Sequence, residues 1–305
     1  YTGPVRTRNF LVRVAHEWLD TPQSPVLEQA TELMPTKAPY PYSISGWEDV
    51  RFLGPTTSTM WITFHSFEHH RLPTLENCLR MMIAPLDMKT GQVTQEPLRV
   101  CGYGEHALKQ KNWMGFWWRK SLCFIYNWCP ITVLYCPTTI QSDDIPCPDE
   151  KDGKTCCRKS HAGPHHVHSH VISVDLPREL NQWRGSSHPL EIPVRLPKSN
   201  PQWTYYVVGV HNAQFPLYSH RLIVLGVEPQ EEEQSWRFPF RLHITHQTTE
   251  FQFEAGSTIE FSLSLAWDLR TPEEPTLLLP YAIRDARAHM TKLPWSTFVA
   301  LLHPC

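Results

Sequence analysis

The stretch that decides the fold is TIEFSLSLAWDL, Thr258–Leu269. Every second residue from Ile259 to Trp267 is apolar, whereas the residues between them are polar or small, Thr258, Glu260, Ser262, Ser264 and Ala266. Because side chains alternate between the two faces of a strand, five periods of this pattern indicate an antiparallel strand with one buried face. The pattern therefore places Glu260 and Ser262 on the face opposite to Phe261.

Three segments before this stretch also have the composition of strands. The residues in WTYYVVGVHN, Trp203–Asn212, are almost continuously β-branched or aromatic, which predicts a strand buried on both faces. HRLIVLGV, His220–Val227, follows across a short loop as a second such strand. In FPFRLHITH, Phe238–His246, the apolar residues alternate with polar ones, so Phe240, Leu242 and Ile244 should point to one side.

The first half of the chain gives a mixed prediction. DVRFLG and STMWITFHSF are two expected strands separated by a turn at Gly54-Pro55, and FLVRVAHEWL is either a strand or a short helix. LCFIYNWCPITVLYCP, Leu122–Pro137, is too short and too interrupted to span a membrane and fits two buried strands. LPTLENCLRMMIAPL, Leu72–Leu86, is predicted as a short helix capped by Thr74, with one apolar face, Leu75, Cys78, Leu79 and Met82.

Composition supports a protein in which helices are few. The chain has 28 Pro and 13 Gly among 305 residues, together with 12 Trp, 13 Phe and 10 Tyr. Frequent prolines break helices, while aromatic residues favour strands. We expect a mainly β fold, an antiparallel β-sandwich or jelly roll with long Pro-rich loops and one or two short helices. Residues 1–270 should form a single domain with a loop insertion at about 137–166, and residues 271–305 an extended C-terminal arm.

Charge and cysteine content limit the partners and the compartment. The formal net charge of −2 gives no overall basic field for nucleic acid. Nine cysteines cannot all pair within the chain, and no Asn-x-Ser/Thr sequon is present. Together with the absence of an N-terminal signal pattern, this favours a reducing compartment, the cytoplasm or the nucleus.

The common catalytic motifs are missing from the sequence. There is no G-x-S-x-G elbow, phosphate-binding loop, H-E-x-x-H motif or dinucleotide-binding glycine pattern. No pair of carboxylates is fixed by its spacing either. We therefore expect a protein that is not an enzyme.

One stretch, CCRKSHAGPHHVHSHVISVDL at Cys156–Leu176, is a candidate metal site. If its second half is a strand, His166, His168 and His170 lie on the same face, and each is about 6.6–6.8 Å from the next because a strand rises by that distance over two residues. Two adjacent histidines, His166 and His168, could bind zinc together with the thiols of Cys156 and Cys157. An H-x-H strand also occurs in cupin enzymes, but the acidic ligand that should follow it is absent here. The alternative is an exposed loop that titrates with mild acidification, with no cofactor bound.

A second stretch, KQKNWMGFWWRK, interleaves aromatic and basic side chains. It could form a stacking surface for single-stranded nucleic acid or a subunit interface, through Lys109, Lys111, Trp113, Trp117, Trp118, Arg119 and Lys120. In the alternative, Trp113, Phe116 and Trp117 enter the core and the cations remain in solvent.

The strands of the last third, together with long loops rich in Pro and Trp, resemble the closing strands of jelly-roll capsid proteins of small icosahedral viruses. This resemblance implies a subunit that assembles with copies of itself into a shell in the virion. Nucleic acid would lie inside the shell, and a host receptor would bind to its outer surface. Two alternatives remain: a β-sandwich module that binds a protein partner through its loops, and a cupin-like metal-dependent enzyme using His166 and His168.

Overall fold

The structure is a computed structural model of the chain. It describes the following residues: 5–6, 9–14, 27–33, 44–45, 47–56, 59–67, 79–95, 97–100, 113–119, 121–128, 131–136, 166–167, 170–174, 182–214, 217–230, 240–254, 260–262, 264–284 and 287–305. No helix within these ranges has the length and apolar content needed to cross a membrane.

Strands dominate the described residues. The first nine are β1 Val5–Arg6, β2 Asn9–Val14, β3 Leu27–Leu33, β4 Ile44–Ser45, β5 Glu48–Thr56, β6 Thr59–Phe67, β7 Leu79–Asp87, β8 Gln92–Val93 and β9 Leu98–Val100. The next seven are β10 Met114–Trp118, β11 Ser121–Trp128, β12 Ile131–Cys136, β13 His166–Val167, β14 His170–Val174, β15 Arg184–Gly185 and β16 Leu190–Glu191. The last are β17 Thr204–Gln214, β18 Leu217–Pro229, β19 Phe240–Thr248, β20 Glu260–Ser262, β21 Ala266–Asp268, β22 Thr276–Ile283, β23 Arg287–Pro294 and, after helix α1 Trp295–Ala300, β24 Leu302–Pro304.

The chain divides into two compact units. Unit 1 comprises residues 1–111 and 138–169, and unit 2 comprises residues 112–137 and 170–305. The segment predicted as a C-terminal arm, 271–305, supplies β22, β23, β24 and α1 to unit 2. Most of the predicted loop insertion at about 137–166 lies outside the described residues.

Unit 1 is built around one six-stranded sheet. Its strands lie in the order β13-β9-β7-β6-β5, with β8 paired to β7. One face of this sheet carries an apolar cluster in which the rings of Trp47 and Phe64 stack 4.2 Å apart. Two small sheets, β1-β4 and β2-β3, complete the described part of this unit.

Unit 2 contains three antiparallel sheets. The first sheet is β10-β11-β12-β14, the middle sheet is β15-β17-β18-β19-β24 with β16 beside β17, and the last sheet is β20-β22-β21 with β23 beside β22. One apolar core joins the first sheet to the middle sheet, as in the contacts of Phe116 with Tyr206 and of Trp118 with Phe240. A second core joins the opposite face of the middle sheet to the last sheet. The middle sheet is therefore buried on both faces.

The mainly β, antiparallel prediction is confirmed, including the two buried strands at 122–136. Of the two structures expected for FLVRVAHEWL, the described part, 10–14, is a strand. The middle strands β17, β18 and β19 lie where the apolar runs predicted them. Within each sheet of unit 2, neighbouring strands follow one another in the sequence with few interruptions. A jelly roll instead distributes consecutive strands between two sheets.

Two local predictions in unit 1 are wrong. The helix expected from Leu72 is, in its described half, strand β7, because neighbouring strands β6 and β9 bind its backbone and both of its faces are buried. The expected cap Thr74 and helix positions Leu75 and Cys78 lie outside the described residues. The chain does not turn at Gly54-Pro55; β5 continues through them, and Gly54, at φ +83°, follows a register irregularity.

The stretch TIEFSLSLAWDL is not one regular strand. Ser262 pairs with Tyr281 and Ala266 pairs with Leu278, so an advance of four residues on this side matches an advance of three on β22. One extra residue reverses the side to which the following side chains point. The two halves of the stretch therefore differ in phase: Glu260 and Ser262 before the irregularity are buried, whereas Ala266 after it is exposed. The predicted apolar positions Ile259 and Leu263 lie outside the described residues.

Candidate functional site

The core between the middle and last sheets becomes polar at one end. On β17 and β18 the pairs Val207–Val224 and Gly209–Leu222 face the last sheet, and the next pair in this row is His211–His220. Both imidazoles are buried, with His220 only 2% exposed. Two histidines thus occupy a position where the strand pattern would otherwise place apolar side chains.

Two serines pack against the same row of residues. The N–H groups of Ser186 and Ser187 both donate to the carbonyl of Gly209, and the Gly209 N–H donates to Ser187 Oγ at 2.7 Å. A Cβ on Gly209 would lie about 3 Å from both hydroxyls (3.1 Å from Ser186 Oγ and 3.0 Å from Ser187 Oγ), so glycine allows this close approach. The serines lie beside the backbone two residues before His211.

Glu260 supplies a carboxylate to this end of the core. Its side chain is fully buried, and its oxygens accept the backbone N–H groups of Phe253 at 2.8 Å and Glu254 at 2.6 Å. Oε2 also lies 3.7 Å from Nε2 of His220. We call Ser186, Ser187, His211, His220 and Glu260 the His–Glu cluster.

The His–Glu cluster holds His220 in its neutral form. Burial, with a smaller effect from His211, lowers the pKa of His220 to about 3. The Glu260 carboxylate favours a charged imidazole, but its charge is already shared with two backbone N–H donors, so the burial effect prevails. The separation of 3.7 Å is also too long for a hydrogen bond between the two side chains.

Aromatic rings surround the cluster. His211 stacks on Tyr218 and meets the edge of Phe261, while His220 lies 4.7 Å from Phe253. Phe253 in turn stacks on Tyr281 at 4.2 Å. Tyr218, Phe253, Phe261 and Tyr281 are half-buried, so the polar groups lie beneath rings that reach the surface of unit 2.

Two polar groups of this cluster have no hydrogen-bond partner. They are the His220 imidazole, at both ring nitrogens, and the Ser186 hydroxyl; all three atoms are buried in the part of the chain that the structure describes. Buried polar groups in native proteins are nearly always paired, so such exceptions mark a functional site or a missing partner. Within the same ranges no group of three or more His, Cys, Asp or Glu side chains is arranged to hold a metal ion.

The predicted zinc site is only partly described. Cys156, Cys157 and His168 lie outside the described residues, and His166 belongs to β13. The expectation of one strand from His166 to Val174 is wrong: β13 pairs with β9 in unit 1, whereas β14 pairs with β12 in unit 2. His166 and His170 therefore do not share a face of one strand.

The predicted aromatic and basic surface is also distributed differently. Trp113 and Trp118 are buried, Trp117 is half-buried, and Arg119 is exposed with its guanidinium 4.7 Å from the Trp118 ring. Lys109, Lys111 and Lys120 lie outside the described residues. Phe116 lies in the core, as the alternative interpretation expected.

Sequence reasoning missed the His–Glu cluster. Its histidines and serines have no motif spacing, and Glu260 was placed on the opposite face from the core. One sign was available: the residues that follow Glu260 on the predicted polar face, Ser262, Ser264 and Ala266, are all small, which suits close packing.

Comparison with known proteins adds no assignment, since the chain matches no protein-family model, no curated protein and no solved structure.

Proposed function

We propose that the protein is a binding protein whose site is the His–Glu cluster and whose ligand is an uncharged small molecule carrying hydroxyl groups. The observation that supports this most directly is the pair of buried, unpartnered polar groups, the His220 imidazole and the Ser186 hydroxyl. Each unsatisfied buried group costs about 1–3 kcal/mol. A hydroxylated ligand, which can both donate and accept hydrogen bonds, would remove that cost.

The surrounding rings suit such a ligand. Tyr218, Phe253 and Tyr281 offer apolar surface beside polar atoms, and ligand sites are commonly apolar walls with a few placed polar groups. A cyclic polyol or a sugar has both an apolar ring face and hydroxyl groups. This combination fits the cluster better than a purely apolar molecule, which would leave His220 and Ser186 unpartnered.

A binding role agrees with the chemistry of the cluster better than acid–base catalysis. A general base works best with a pKa near the working pH. The pKa of His220 is lowered to about 3, and Glu260 is engaged by two backbone N–H groups. The His220 imidazole is therefore not tuned to exchange a proton near neutral pH.

Thermal unfolding with named probes tests this proposal. We expect at least one of glucose, galactose, mannose and myo-inositol, at about 10 mM, to raise the Tm by about 2–4 °C. The shift should disappear in His220→Leu, which removes the ring nitrogens but keeps an apolar side chain. Exposed His303, replaced by Leu, is the matched control and should retain the shift. The proposal fails if no probe shifts the wild-type protein more than His220→Leu.

We propose self-assembly, including assembly as a viral capsid subunit, as a second function. Strand β23 supports it: the strand runs for eight residues and, among described strands, pairs only with β22, so its other edge could pair with a second copy. In this case the protein would belong to the virion; otherwise the cytoplasm or nucleus remains the prediction.

For the fold we propose that the three sheets of unit 2 are related like neighbouring blades of a β-propeller, because each is formed largely by consecutive strands and stacks on the next.

The mass of the particle in solution tests assembly. Size-exclusion chromatography with light scattering should give a large integral multiple of the chain mass, and Met290→Pro within β23 should reduce it by removing an N–H from the strand. Replacement of exposed Thr297 in α1 by Ala is the control. A mass equal to one chain at all concentrations would exclude this second function.

A further inference from the structure

Unit 1 contains a second buried polar group of side chains, far in the sequence from the His–Glu cluster. Arg51 on β5 lies opposite Thr63 on β6, and His65 follows Thr63 on the same face. All three are buried, at 4%, 1% and 1% exposure. The neighbouring residues Ile62 and Phe64 point to the opposite face, where they belong to the apolar cluster of unit 1.

The backbone beside these residues is irregular in a way that places a carboxylate near them. The β5–β6 register shifts between Glu48 and Arg51, and Asp49, within that shift, has φ 53°. A residue other than glycine is rarely found in this left-handed region, and such strain concentrates at functional sites. The conformation brings Asp49 Oδ2 to 3.4 Å from His65 Nδ1.

The Arg51 guanidinium has no hydrogen-bond partner in the described structure. Nε, Nη1 and Nη2 are all buried without a hydrogen bond, and neither ring nitrogen of His65 has a hydrogen-bond partner, although Nδ1 lies close to Asp49. Burial lowers the pKa of Arg51, and the charge of Asp49 opposes that shift. Arginine nevertheless stays charged in proteins, so a buried guanidinium needs an anion with several acceptor atoms.

We propose that Arg51 and His65 bind an oxyanion, a carboxylate or a phosphate group of a ligand. The guanidinium presents parallel N–H donors that match two oxygens of either group. His65, two residues along β6 from Thr63 and on the same face, can donate to a third oxygen. Asp49 holds the His65 ring in place, and a metal ion is an unsuitable occupant because Arg51 would repel it.

Anion-dependent stability tests this site. Tm values of the full chain are compared in sodium phosphate, sodium acetate and sodium chloride at equal ionic strength and pH, so that charge screening is the same, and the Arg51→Met variant measured in the same salts corrects for the general stabilisation by each anion. We expect phosphate or acetate to raise the Tm by about 2–4 °C over chloride. A shift with phosphate alone identifies a phosphate group, and a shift with acetate alone identifies a carboxylate.

Variants assign the shift to Arg51. Arg51→Met should abolish it, and Arg51→Lys, which keeps the charge but not the paired donors, should weaken it. Exposed Arg241, replaced by Met, should leave it unchanged, and so should His220→Leu, which separates this site from the His–Glu cluster. If Arg51→Met does not fold, equilibrium dialysis of the wild-type protein with radiolabelled phosphate and acetate replaces it. Equal Tm values in the three salts, a shift that persists in Arg51→Met, or no retention in dialysis would overturn the proposal.

Discussion

Acidification from pH 7 to pH 5 is expected to reduce the free energy of unfolding by about 2 kcal/mol through His220 alone. In the folded protein the pKa of His220 is lowered to about 3, whereas in the unfolded chain it returns to the ordinary value near 6.5. Between these values the unfolded state binds a proton that the folded state does not. Stability must therefore fall as the pH falls through this window, and the effect is complete near pH 3.

Urea unfolding at several pH values measures this effect. The wild-type curve contains contributions from every titrating group, including His246, whose pKa burial also lowers. The difference in the free energy of unfolding between wild type and His220→Leu contains only the contribution of the His220 imidazole. We expect this difference to change by about 2 kcal/mol between pH 7 and pH 5, with His303→Leu following the wild type. Parallel curves for wild type and His220→Leu would show that the pKa of His220 does not change on folding, and a difference of the opposite sign would show a charged His220 paired with Glu260.

The strands of unit 2 could be predicted because burial on two faces leaves a direct record in sequence. In β17 and β18, Val208 and Ile223 face the first sheet while Val207 and Val224 face the last one, so no polar residue interrupts residues 205–210 or 222–227. In β19 only one face enters the apolar core, and the alternation around Leu242 is correspondingly clear. In these strands, local pattern and tertiary contacts favour the same structure.

Other elements could not be predicted because their structure depends on partners distant in sequence. The segment at β7 contains Leu, Met and Ala, which favour helices, but pairing of Met82 with Phe64 and Arg99 makes it a strand. The orientation of Glu260 depends on one extra residue opposite β22, which no periodicity shows in advance. The His–Glu cluster requires both this irregularity and the pairing of His211 with His220, so its residues had no common signal in the sequence.

Replacement of Glu260 by Gln should cost about 2–4 kcal/mol of unfolding free energy, although the two side chains have nearly the same shape. The carboxylate accepts the N–H groups of Phe253 and Glu254 with its two oxygens. Glutamine has one acceptor oxygen, and its NH2 group would face the second N–H as donor against donor. Because Glu260 is fully buried, water cannot replace the lost acceptor.

Urea unfolding at pH 7 measures the loss, and hydrogen exchange locates it. We expect the amide protons of Phe253 and Glu254 to exchange faster in Glu260→Gln, because at least one of them loses its acceptor. Glu254→Gln is the matched control: the same chemical change is made on an exposed side chain whose Oε2 lies 3.6 Å from Arg287, and it should alter stability by less than about 0.5 kcal/mol. If Glu260→Gln were as stable as Glu254→Gln, the carboxylate could not be the group that fixes the 253–254 backbone beside His220. Phe253 and Tyr281, whose rings lie beside the His–Glu cluster, would then be held in position by their stacking on each other alone.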